Sequence, residues 1–168
     1  GVTAWGLGDA NRATALCLAA LEEQQRLNDT WHLSNTFGYL GLIAISDDRP
    51  VDAAINLREC MEIRWQSDAR EDIASSIADF AALAALTERP ELAANLFGAA
   101  TALRRRIGRL VINLPERDLF DRAKDRTRTA LAPESRAASE QEGATWTLDQ
   151  AVSEAHVLAD AIIAESTL

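Results

Sequence analysis

The chain has 168 residues, 48% of them apolar and 26% charged, with only eight glycines and four prolines. That balance excludes a disordered chain and is enough to bury one good core. A net charge of −9 opposes direct binding to nucleic acid. No apolar run approaches the roughly eighteen residues that span a bilayer.

Alanine and leucine dominate and β-branched runs are absent, which predicts an all-α fold. Gly1-Val2-Thr3-Ala4-Trp5 reads as the second half of a helix, so the expectation is a piece cut from a longer protein. After a turn at Gly8-Asp9, residues 9–27 form a helix with Leu16, Ala20, Leu21 and Leu27 on its stripe. Asn28-Asp29-Thr30 is a turn whose last residue is placed to cap the next helix. Helices over 31–46 and 50–66 form a hairpin broken at Asp47-Asp48-Arg49-Pro50, with proline at the first helical position. Asp68 and Glu71 are spaced as a capping box for a helix running to about Leu86. Pro90 opens the following helix, with Gly108 as its expected C-cap.

Beyond Gly108 the pattern changes. Residues 110–115 read as a short apolar loop. A helix from Glu116 to about Leu131 carries Leu119, Phe120, Ala123, Thr127 and Leu131 on one face. Pro133 opens a short polar helix ended by Gly143. Thr147 with Gln150 forms a second capping box before a last helix carrying Leu148, Ala151, Val152, Ala155, Ala159, Ile162 and Ile163. That helix is expected to dock on 116–131 or 90–107.

The hairpin over 37–65 recurs. Phe37, Leu40, Gly41 and Ala44, then Ala53, Leu57 and Cys60, return forty residues later as Ile77, Phe80, Ala81 and Ala84, then Ala93, Phe97 and Ala100. Ala13, Cys17 and Ala20 fit the frame forty residues earlier. Gly41 and Ala81 should sit where the helices of each hairpin come closest. A fixed period of this kind predicts an all-α solenoid of antiparallel helical hairpins over 1–108, with 109–168 as a C-terminal helical cap of the same domain.

The series Phe37, Leu40, Gly41, Ala44, Ala53, Leu57, Cys60 and Trp65 resembles the signature of the tetratricopeptide repeat. Trp65 stands where proline is usual and Ala44 where tyrosine is common. The period exceeds the usual one of about 34, which predicts long turns between hairpins. Leu96-Phe97-Gly98-Ala99-Ala100-Thr101-Ala102-Leu103-Arg104, Leu114-Pro115-Glu116-Arg117 and Trp146-Thr147-Leu148-Asp149-Gln150-Ala151-Val152 are similar to the run closing the C-terminal part of large, ATPase-containing bacterial transcriptional activators of the LuxR or maltose-activator kind. The resemblance implies a cytoplasmic regulatory and signal-transducing module. Its partners would be other domains of the parent regulator or a protein or peptide.

No catalytic constellation emerges, and no enzyme, cofactor or metal is expected. His32 and His156 read as surface or packed histidines. Cys17 and Cys60 read as buried free thiols in a reducing compartment. Trp5, Trp31, Trp65 and Trp146 fall at hairpin ends and should cover the edges between hairpins. Residues 104–128 hold nine Lys or Arg against four Asp or Glu, so a basic stretch sits in an acidic chain. It reads either as a solvated face or as a site for an acidic partner. The first helix of each hairpin should line a concave face, with Asn35, Tyr39, Leu42, Ser46, Ser75 and Leu86 as candidate binding residues. A protein-interaction surface is the leading expectation. The alternatives are an inducer pocket rimmed by Asn35, Tyr39 and Ser75, or an accessory repeat domain of a cyclase or kinase. The stripe Ala13, Leu16, Cys17, Ala20 and Leu21 should be partly uncovered and could pair two copies into a homodimer.

Overall fold

A computed structural model describes residues 1–107 and 114–166 of the chain. Among the described residues there are nine helices and no strand. They are α1 (Val2–Gly6), α2 (Ala10–Arg26), α3 (Thr30–Ser46), α4 (Pro50–Gln66), α5 (Arg70–Leu86), α6 (Pro90–Ile107), α7 (Leu114–Ala130), α8 (Pro133–Thr145) and α9 (Leu148–Glu165). The fold is all-α, as expected. Gly108 and most of the loop expected at 110–115 lie outside the described residues.

The forty-residue period has a simpler origin than long turns. Helices α2, α3, α4 and α5 each have 17 residues and open at Ala10, Thr30, Pro50 and Arg70, a step of twenty that Pro90 continues. From α1 to α6, three residues separate each helix from the next. The middle one is always left-handed: Gly8, Asn28, Asp48, Asp68 and Glu88 have φ between 51° and 81°. The N–H of the residue after it donates back to the carbonyl five positions earlier, as in Asp29 to Gln24 at 3.0 Å and Arg49 to Ala44 at 2.9 Å. This is a Schellman closure, and its last residue is also the N-cap of the next helix. The expected long turns are therefore corrected: the extra length is in the helices, about one additional turn in each.

Two caps differ from expectation for the same reason. Asp29, not Thr30, caps α3, its carboxylate accepting from the His32 N–H at 3.1 Å. Asp68 is the left-handed residue and cannot cap α5. Its carboxylate instead accepts from Arg70 Nε at 2.9 Å, and Ala69 stands at the N-cap without a side-chain bond. The Thr147–Gln150 capping box is formed.

The hairpins α3–α4 and α5–α6 pack along their lengths, and α2 on α3, α4 on α5 and α3 on α5 join them into one core. Leu40, Gly41, Ala44, Ala53, Leu57 and Cys60 are buried, as are Ile77, Phe80, Ala81 and Ala84. A Cβ on Gly41 would lie 2.5 Å from Leu57 Cδ2, so glycine sets the approach of α3 to α4. Among the tryptophans the edge-covering role holds for Trp5, which is buried. Trp31 and Trp65 are exposed, while Trp146 packs half-buried against the core. On α2, Ala13, Cys17 and Leu21 are buried, Ala20 is half-buried and Leu16 stays exposed.

The tail does more than close one end. Helix α8 lies along α6. At the crossing, a Cβ on Gly98 would meet the Glu140 carbonyl at 2.0 Å, and one on Gly143 the Asn95 carbonyl at 1.8 Å. Gly143 is thus inside α8 as a packing residue and does not end it. Helix α7 lies on the face of the first helices, against α5 above all and also α1 and α3. Helix α9 returns to the opposite side and docks chiefly on α4 rather than on α6 or α7. Ala151, Val152, Ala155, Ala159 and Ile162 make its buried face, and Arg58–Asp160 at 2.9 Å and Arg89–Glu165 pin its rim.

Two outcomes follow for stability. Gly98→Ala and Gly143→Ala should each cost about 3 kcal/mol, because the obstacle is backbone. Gly41→Ala should cost about 1 kcal/mol, because the Leu57 side chain can shift. Equal losses in thermal melts would contradict these close approaches. Glu88 is the poorest left-handed residue of its series, so Glu88→Gly should stabilise by about 0.5–1 kcal/mol. A lower melting temperature for that variant would contradict the turn geometry.

Candidate functional site

The face of the first helices carries the chemistry. Because α7 lies across it, the face is divided into two recesses. One, of about 510 Å³, includes Asn35, Tyr39, Leu42 and Ser75, four of the six candidate residues. The other, of about 210 Å³, includes Ser46 and Leu86 together with Leu119 and Ala123 of α7. The six are not one surface. Ser46 is also engaged within the fold: its Oγ accepts from the Trp5 indole Nε1 at 3.2 Å and donates to the Leu42 carbonyl at 3.1 Å.

The larger recess has a polar floor that the candidate residues alone do not foretell. Arg64 of α4 is only 7% exposed and lies on the stripe Leu57, Cys60, Met61, Arg64. Its guanidinium donates to Asn35 Oδ1 at 2.8 Å, Ser76 Oγ at 2.6 Å and the Asp72 carbonyl at 3.0 Å. Its Nε is buried without a hydrogen bond. Cys60 Sγ sits 3.7 Å from Ser76 Oγ, and burial pushes its thiol up to about 11, so it is protonated at neutral pH.

Asp79 of α5 is the second unforeseen residue. It is 7% exposed and lines the recess. No hydrogen bond or ion pair among the described residues reaches its carboxylate. Burial pushes its carboxyl up to about 7; Arg64 opposes the shift, Glu116 adds to it and Arg104 opposes it. The sequence signal was present: Asp79 is the one charge in the apolar run from Ile73 to Ala85, where α5 is buried nearly all round.

The walls are aromatic and acidic. Trp31, Tyr39 and Phe120 line the recess, and so do Glu71, Asp72 and Glu116. Trp31 stands edge-on to the His32 ring at 4.6 Å, and His32 Nδ1 is 2.7 Å from Asp29 Oδ2. With two arginines, Arg64 and Arg104, against four carboxylates, the recess is net acidic and suits a cationic guest better than an anionic one. Among the described residues no group of His, Cys, Asp or Glu is arranged to hold a metal ion. None of the described helices is long and apolar enough to cross a membrane.

Compared with protein-family models, curated proteins and solved structures, the chain matches none.

The raised Asp79 pKa makes a stability statement. Between the ordinary carboxyl pKa of about 4 and the folded value of about 7, the folded state binds the extra proton, so stability falls as pH rises through that window. Asp79→Asn should therefore raise the melting temperature more at pH above 7 than near 4. A gain independent of pH would show that Asp79 ionises normally in the fold.

Proposed function

We propose that this chain is a non-enzymatic regulatory module whose first-helix face senses a small organic cation. The observation that carries the reading is Asp79: a buried carboxylate without a hydrogen bond, lining a recess of small-molecule size. An ammonium group would give that carboxylate the partner it lacks. Trp31, Tyr39 and Phe120 would hold the carbon body and add cation–π attraction. Asn35, Tyr39 and Ser75 rim the recess as an inducer pocket requires. A groove for a partner's peptide or helix is the weaker reading, because α7 of the same chain already occupies much of this face. The likeness of the repeat frame to bacterial transcriptional activators supports a regulatory setting, in which ligand binding would be passed to other domains.

A panel of primary alkyl and arylalkyl amines, each with its matched carboxylate, tests the reading by thermal shift and calorimetry. Amines should bind and carboxylates should not. Asp79→Asn should weaken the amines at least about tenfold while leaving the fold intact. Affinity should fall as pH drops below about 7, since a protonated Asp79 offers no charge. Equal binding of both members of each pair, or an unaffected Asp79→Asn variant, would refute it.

A further inference from the structure

A second cavity, of about 510 Å³, lies between α6, α7 and α8, and its charge is opposite to that of the first. Arg105 of α6, Lys124 and Arg128 of α7 and Arg136 of α8 line it, against one carboxylate, Glu140. In a chain of net charge −9, four cations converging from three helices are a local inversion. Arg105, Lys124 and Arg128 are exposed and Arg136 is half-buried, so an anion entering the recess would meet all four at its walls.

Internal carboxylates stand beside only two of the four cations, Arg128 and Arg136. Arg128 pairs with Asp125 at 2.6 Å on the exposed side. Arg136 Nε lies 3.6 Å from Glu140 Oε1, too far for a hydrogen bond, and is buried without one. The Lys124 ammonium stands 5.6 Å from the centre of the Phe97 ring, an attraction that leaves its charge unneutralised. Neither Lys124 nor Arg105 has a carboxylate partner among the described residues. Thr101, Thr127 and Gln141 also line the cavity, and Phe97 with Ala137 provides apolar floor for a carbon skeleton.

We infer that this cavity binds a small organic anion carrying phosphate or carboxylate groups, held by Arg105, Lys124 and Arg136. The site is independent of the Asp79 recess, yet α7 walls both: Glu116 and Phe120 face one, Lys124 and Arg128 the other. Guanidinium forks on two sides and an ammonium on the third would meet such groups with charge-assisted hydrogen bonds. The basic run at 104–128 thus contributes through Arg105, Lys124 and Arg128, while Arg136 comes from outside it.

The test is calorimetric titration of the whole chain with inorganic pyrophosphate and with citrate at low ionic strength. The variants are Lys124→Gln, Arg105→Gln and Lys124→Arg, with exposed Arg12→Gln on α2 as a distant control. Saturable binding with a Kd of about 1 mM or tighter is expected for at least one anion. Each Gln variant in the cavity should weaken it about tenfold, while Lys124→Arg and Arg12→Gln preserve it. The anion preferred assigns the natural ligand to phosphate or carboxylate chemistry. Thermal melts accompany each variant, and the two Gln variants lie on different helices, so an unfolded one leaves the other to decide. No saturable heat with either anion up to about 10 mM would overturn the inference. So would weakening shared equally by Arg12→Gln, or binding unchanged in the folded Gln variants.

Discussion

The guanidinium of Arg64 joins the two best-formed hairpins. It projects from α4 between α3 and α5 and bonds to both, through Asn35 on one side and Ser76 with the Asp72 carbonyl on the other. A buried cation of this kind is costly unless its donors are met, and removing it would leave three acceptors without their partner. It therefore sets the rotation of α3 and α5 about α4 more sharply than apolar contact can. Leu57, Cys60 and Met61, on the same stripe, supply the burial but tolerate some sliding.

The same cation governs the electrostatics of the face above it. Asp79 would carry a still higher pKa without Arg64 nearby, and Asn35 is turned toward Arg64 rather than outward. The polar floor is thus partly satisfied from within, by Arg64, and partly unsatisfied, at Asp79. It leaves one carboxylate, Asp79, lining the recess without a hydrogen bond among the described residues.

Helix α7 has an effect out of proportion to its length. Its Leu119, Phe120 and Ala123 are buried, and Leu119 and Ala123 help line the smaller recess beside Ser46 and Leu86. Its other side, with Lys124 and Arg128, walls the basic cavity against α6 and α8. Two recesses of opposite charge share this one wall. The close crossing of α6 and α8 at Gly98 and Gly143 fixes the far side of the basic cavity.

Much of this was legible in the amino-acid order. The apolar periods placed the helices, and the forty-residue recurrence of Leu40, Gly41, Ala44 and Leu57 found the hairpins and their buried faces, because helical periodicity is a local property. Asn35, Tyr39, Leu42 and Ser75 were placed together for the same reason: they lie at regular positions on neighbouring first helices. The turns at Gly8, Asn28, Asp48, Asp68 and Glu88 were local too, but their left-handed residue shifted the caps by one position. Which surface α7 and α9 would cover was not local. Amphipathic helices carry a face but not an address, and α9 chose α4 while α7 split the expected binding face in two. The significance of Arg64 and Asp79 was likewise decided only in three dimensions. A charge within an apolar run shows that something must be compensated, but the compensating groups come from other helices, and only packing reveals whether they arrive.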